Sequence, residues 1–198
     1  LKPLFVLFWQ LCRFQKGPQD VPYSQALMVV LLLANVSLGL GSMLVLSADY
    51  LVEQAMGMLL ALAVWMAMIW AILGFKGQQA RFVQTWTACL GTDLLMSCLV
   101  LPLQVFIVTN PPVDGEGSIW RLLMLLVLIW DILIKARIYS ASMGLGRLQG
   151  NLLSISIWLL VFLLNFSFLP PEVMQQAEQQ SSAEVDQQYS ESQYISPN

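Results

Sequence analysis

Residues 26–46 read ALMVVLLLANVSLGLGSMLVL, and no Asp, Glu, Lys or Arg occurs between Asp20 and Asp49. A helix needs about 20 predominantly apolar residues to cross the hydrocarbon core of a bilayer. The stretch therefore predicts a membrane-spanning helix, and the same pattern recurs outward from it. Glu53 and Lys76 bracket a second uncharged run rich in Leu, Ala, Met and Trp, placed at 52–73. A third occupies 85–108 with one charge inside it, Asp93. The fourth, at 119–138, is the least hydrophobic because it holds Arg121, Asp131, Lys135 and Arg137. It reaches across if the basic side chains near its two ends snorkel outward. A fifth run occupies 151–169. These runs are too long for barrel strands, and backbone polar groups in hydrocarbon must be satisfied within the segment, so helices are expected throughout.

The expected fold class is all-α: an integral membrane bundle of five transmembrane helices at 23–169, with an interfacial amphipathic helix and turn at 1–22. Residues 170–198 are rich in Gln, Ser, Glu and Asp. Such a composition cannot bury enough apolar surface to offset its ordering entropy, so a disordered acidic tail outside the membrane is expected. Composition supports this division. The chain has 198 residues, 58% of them hydrophobic and 11% charged, against about 45–50% and about 25% in soluble domains. With no histidine, imidazole triads, His-ligated metals and His-held haem are excluded.

Orientation follows from the basic residues. Lys2, Arg13 and Lys16 precede the first run, Lys76 and Arg81 separate the second from the third, and Lys135, Arg137 and Arg147 fall around the fourth-to-fifth connection. These segments share one face of a five-span bundle. By the positive-inside rule that face is cytoplasmic, which puts the N-terminus inside and the C-terminus outside. Trp70 and Trp86 are then expected at the inner interface and Trp120 at the outer one. The opening LKPLFVLFWQLCRFQK is too short to span, and no A-x-A-like cleavage site follows it. It reads as a helix on the inner leaflet, with Phe5, Phe8 and Trp9 dipped in and Arg13 and Lys16 toward anionic headgroups. The alternative is a helix packed on the bundle.

Charges inside a membrane are expensive and mark candidate sites. If the third and fourth helices form an antiparallel hairpin across 109–118, residues at equal depth have numbers summing to about 227 by the geometry of the helix. Asp93 then lies level with Lys135. Asp131 and Lys135 are four apart and share a helix face. A cluster of Asp93, Asp131 and Lys135 is therefore expected, with Arg137 turned away toward headgroups. Two acids against one lysine leave a surplus negative charge, covered either by a proton or by donors such as Thr92 and Ser97. The cluster reads either as a structural pairing that fixes helix register or as a proton-carrying site. An aspartyl intramembrane protease is disfavoured, because Leu90-Gly91-Thr92-Asp93 lacks that class's G-x-G-D pattern.

The remaining motifs are weaker. Gly144-Leu145-Gly146 follows a membrane helix and lacks G-K-[ST], so it reads as a loop and not a phosphate cradle. Cys12, Cys89 and Cys98 have no metal-ligand spacing. Ala63, Ala67 and Ala71, with Gly57 and Ala61 on an adjacent stripe, form small-xxx-small patterns suited to close helix contacts, either internal or with a partner. Pro102 sits inside the third helix, where a membrane helix tolerates it.

The segments Gly17-Pro18-Gln19-Asp20 with Tyr23-Ser24, and Arg81-Phe82-Val83-Gln84-Thr85 with Gly91-Thr92 and Leu101-Pro102-Leu103, resemble those of proteobacterial inner-membrane proteins with a Yip1-type five-helix layout. The resemblance implies a non-enzymatic membrane organiser that acts by binding partners in the inner membrane. The function expected first is thus an integral membrane scaffold or accessory subunit, working through helix contacts and its basic cytoplasmic surface. The alternative is a small proton-linked transporter using Asp93 and Asp131. Its expected associates are the lipid bilayer and a membrane-protein partner or second copy; no nucleic acid, cofactor or metal is expected.

Overall fold

The computed structural model describes residues 2–46, 50–109 and 117–168. The described residues form helices α1 (Lys2–Cys12), α2 (Gln25–Leu46), α3 (Leu51–Phe75), α4 (Phe82–Thr109), α5 (Gly117–Met143) and α6 (Arg147–Ser167), with 3-10 turns at Pro18–Asp20 and Gln79–Arg81. No strand occurs among the described residues. The expected tail at 170–198 lies outside them, as do the connections at 47–49 and 110–116.

Local chemistry sets the helix ends. Ser24 Oγ accepts the Leu27 amide at 3.2 Å, an N-cap for α2. Asp20 Oδ2 accepts the Gly17 amide at 2.9 Å and closes the turn that Pro18 begins. At the other end of its helix, α3 stops in a Schellman motif: Gly77 has φ 68°, its amide reaches the Gly74 carbonyl and the Gln78 amide reaches Leu73. α1 ends in the same motif with Phe14 at the left-handed position, φ 60°, which a side chain occupies only at a cost.

Among the described residues, four helical stretches are long and apolar enough to cross a membrane: Gln25–Val45, Leu51–Phe75, Gln79–Thr109 and Arg147–Ser167. α5 has comparable length, 27 residues, but carries the charges of the fourth run. It also extends past the expected boundary at 138, because Tyr139, Ser142 and Met143 are buried and continue the packed face.

Packing arranges α2 to α6 in a closed ring. α2 lies against α3 and α4, α5 against α4 and α6, and α6 against α3. α1 packs outside this ring on α4 and α5. At the end where α1 sits, the ring is filled by Ile69, Leu73, Trp86, Leu90, Ile134, Tyr139 and Met143, all buried. We refer to this as the capped end. Here Thr85 to Thr92 are buried on every side, because α1, α2, α3 and α5 all touch α4. The hydroxyls of Thr85, Thr87 and Thr92 donate to carbonyls of the preceding turn, so burial leaves no hydroxyl proton unsatisfied.

Two close approaches need glycine. An ideal Cβ on Gly91 would enter the Phe8 ring of α1, and one on Gly150 would stand 2.8 Å from the Ala136 carbonyl oxygen of α5. Ser154 Oγ adds a 2.8 Å bond from α6 to the Ile132 carbonyl. Outside, the ring presents Val30 and Leu33 of α2, Leu59 of α3, Leu99 of α4, Leu126 of α5 and Leu159 of α6, an apolar girdle that suits lipid.

Candidate functional site

Asp93, Asp131 and Lys135 meet inside the ring. Lys135 Nζ lies 2.8 Å from Asp93 Oδ1 on α4 and 2.5 Å from Asp131 Oδ2 one turn away on α5. Asp131, Lys135 and Tyr139 follow at four-residue intervals, so α5 presents them as one stripe. Lys135 Nζ also stands 5.3 Å from the centroid of the Trp65 ring, within cation–π range. The Trp65 Nε1–H donates to the Tyr139 hydroxyl at 2.8 Å, and its ring meets Trp86 edge-on with centroids 4.7 Å apart. These contacts hold the ammonium from three directions, by two carboxylates and one aromatic face.

The carboxylates are not equivalent. The Asp93 side chain is 32% exposed and that of Asp131 16%. Asp131 Oδ1 is fully buried with no hydrogen-bond partner among the described residues. One ammonium cannot neutralise two ionised carboxylates, so the triad carries one formal negative charge when both acids are ionised. Hydrophobic surroundings make such a surplus costly unless a proton or a cation covers it.

Above the triad the ring encloses a cavity of about 550 Å³ to which all five helices contribute. Asp93, Asp131, Lys135, Trp65 and Tyr139 lie at its floor, toward the capped end, and Ser42, Gln104, Met124 and Asn165 line its far part. Between them the wall is mainly apolar, with Leu62, Met96, Leu128, Ile157 and Trp158. Asn35 is a polar exception, but its Nδ2 is already engaged by the Leu31 and Leu90 carbonyls at 2.8 and 3.0 Å.

Some side chains differ from the sequence expectations. Trp86 is fully buried in the ring and not at an interface; the edge contact with Trp65 and stacking on Phe82 hold it there. Phe8 is 5% exposed, turned onto Gly91 and not toward lipid. Thr92 does not donate to the carboxylates; its hydroxyl serves the Ala88 and Cys89 carbonyls. Phe5 and Trp9 do face outward, and Arg13 and Lys16 are exposed beyond them. α1 is also tied to α5, because Trp130 Nε1 donates to the Cys12 carbonyl at 3.0 Å. The small-residue stripes separate: Gly57 and Ala61 are buried inside the ring, whereas Ala63, Ala67 and Ala71 are exposed.

Trp65 and Tyr139 are the site residues that sequence reasoning missed. Tyr139 had a signal, since it lies one turn beyond Lys135; Trp65 had none beyond its place among apolar neighbours. Among the described residues no three Cys, Asp or Glu side chains are placed to hold a metal ion. No family model, curated protein or solved structure matches the chain.

Proposed function

We propose that the chain is a five-span, non-enzymatic protein of the bacterial inner membrane, N-terminus cytoplasmic and C-terminus periplasmic, that works as a small proton-linked transporter using Asp93 and Asp131. The observation that carries this reading is the position of the triad. It forms the floor of an interior cavity and not a closed helix seam, so its surplus charge is within reach of a solute. The ring is packed on one side of the triad and hollow on the other, which suits one state of an alternating-access protein.

The fifth span is α5. Its length of 27 residues corresponds to about 40 Å. Leu122, Leu123, Leu125, Leu126, Ile129 and Leu133 are exposed on its outer face, while Asp131 and Lys135 turn inward. Between 122 and 133 the helix thus turns apolar side chains outward and its acids inward, while the exposed Arg137 lies nearer the capped end, where it can reach headgroups. Arg81, Arg137 and Arg147 gather toward the capped end, which supports a cytoplasmic location for it. The resemblance of segments within 17–24 and 81–103 to those of proteobacterial inner-membrane proteins of Yip1-type layout supports the compartment.

Proteoliposomes with a lumenal pH indicator, challenged with a panel of cationic, neutral and anionic solutes, test the reading. Wild type should show solute-dependent proton movement, and Asp93→Asn should lose it while eluting as a folded protein. Proton movement unchanged in Asp93→Asn, or absent from wild type across the panel, would count against it.

A second reading, the membrane scaffold or accessory subunit, is favoured by the outward Ala63, Ala67 and Ala71 stripe on α3. Small residues let another helix approach closely, and within the ring no helix covers them. Purification from native membranes in mild detergent tests it. A stoichiometric partner lost in Ala67→Phe supports this reading; recovery of the chain without one supports the transporter.

A further inference from the structure

We infer that the cavity binds an organic monocation, such as a protonated or quaternary amine with apolar substituents, in exchange for a proton on the Asp93–Asp131 pair. This rests on the transport reading and specifies its substrate class. Three observations select that chemistry.

The first is charge. With Lys135 paired to both acids, the floor has one negative charge to offer. An anion would meet the surplus carboxylate, and a dication would leave one positive charge uncovered in an apolar chamber. The second is the wall. About 550 Å³ lies within the usual size of small-molecule pockets. Its sides supply Leu62, Met96, Leu128 and Ile157 for apolar substituents and Trp158 as an aromatic face. A small inorganic ion would gain nothing from these apolar side chains, and no three acidic or cysteine side chains among the described residues are grouped to hold one. The third is accessibility. Asp93 is the more exposed carboxylate, so it is the one a solute reaches, while the unpartnered Oδ1 of Asp131 leaves the pair short of one positive contact.

The exchange balances without a further reactant. In the empty cavity a proton covers the surplus charge on the pair. When the cation enters, the carboxyl O–H bond breaks, the proton passes to water, and the carboxylate pairs with the cation. Net charge in the cavity is the same before and after. The other ionisable groups around the triad are Tyr139 on α5, Cys89 on α4 and Cys12 on α1; α2, α3 and α6 bring no ionisable side chain to the cavity wall.

The test uses radiolabelled tetraphenylphosphonium with the full chain purified in detergent, reading binding by equilibrium dialysis and proton release in weakly buffered solution. Saturable binding with about one proton released per cation is expected. Asp93→Asn should lose affinity at least about 30-fold, the usual effect of removing one member of a buried charge pair, together with the proton release. Leu128→Trp should block binding by filling the cavity while leaving the triad intact, which keeps the test informative if Asp93→Asn fails to fold. Equal binding by wild type and either variant would overturn the inference. Absence of tetraphenylphosphonium binding alongside Asp93-dependent proton movement with neutral or anionic solutes would remove the cation and leave the transport reading standing. Absence of both would remove the two together.

Discussion

Replacing Lys135 by methionine keeps much of the side-chain volume and removes the one cation between two carboxylates. The structure sets the size of the effect. Lys135 makes charge-assisted bonds of 2.8 and 2.5 Å and lies 5.3 Å from the Trp65 ring centroid. Its side chain is 14% exposed, so water replaces little of what is lost. Removing one member of a buried ion pair costs about 3–5 kcal/mol, because the partner remains buried and uncompensated. With a proton already covering the second carboxyl of the empty cavity, one uncompensated carboxylate remains, so Lys135→Met belongs within that range. Asp93→Asn is a different perturbation: it removes the surplus acid and leaves Lys135 paired to Asp131. Its cost should be that of one hydrogen bond, about 0.5–1.5 kcal/mol. The triple replacement Asp93→Asn, Asp131→Asn, Lys135→Met buries no charge and should recover most of the stability that Lys135→Met loses. Reversible unfolding in mixed micelles, followed by tryptophan fluorescence, measures all three. A Lys135→Met protein as stable as wild type, or a triple variant less stable than Lys135→Met, would refute the electrostatic account.

Gly150→Ala should cost about 1–3 kcal/mol through overpacking between α5 and α6, measured by the same unfolding assay. Adding Ser140→Ala should restore only part of it, because the Ala136 carbonyl remains 2.8 Å from the new methyl group. Gly91→Val should push Phe8 out and detach α1, seen as faster proteolysis within the first 16 residues; removing the obstructing ring with Phe8→Ala should slow cleavage again. Burial, followed by the negative charge of Asp131, pushes the Cys12 thiol up to about 11. A raised thiol stays protonated until pH nears that value, so at pH 8 folded protein should carry about 100-fold less thiolate than an ordinary cysteine. Maleimide labelling of Cys12 should be slow in the folded protein and fast in SDS; equal rates would place α1 off the bundle. Cysteines introduced near Gln78 should label only after permeabilisation and those near Ser182 from outside, and the reverse pattern would sink the proposed orientation.

Much of the helical plan was legible because hydrocarbon imposes a length on each apolar run. Four of the five expected runs correspond to helices long and apolar enough to cross, whereas the fourth cannot be assigned by composition because its charges count against it wherever they point. Only the packed ring shows that Asp131 and Lys135 face inward. Spacing placed those two on one helix face, and the arithmetic of an antiparallel hairpin placed Asp93 at their depth. Neither step could reveal the order of helices around the ring, because α3 packs against α6, a helix distant in sequence. The cavity is a property of that order, and so was invisible. Trp86 and Phe8 were misplaced for a related reason: an aromatic near a helix end suits both an interface and a tight core. Gly91, which makes room for Phe8, was the local sign that a second helix comes close.

The most direct test of the central claim is infrared difference spectroscopy on the purified protein as tetraphenylphosphonium is added, watching the carbonyl stretch of protonated carboxyl groups. A protonated-carboxyl band should disappear as the cation binds, and Asp93→Asn should abolish the change. A wild-type spectrum in which the cation binds and no carboxyl loses a proton would contradict that claim.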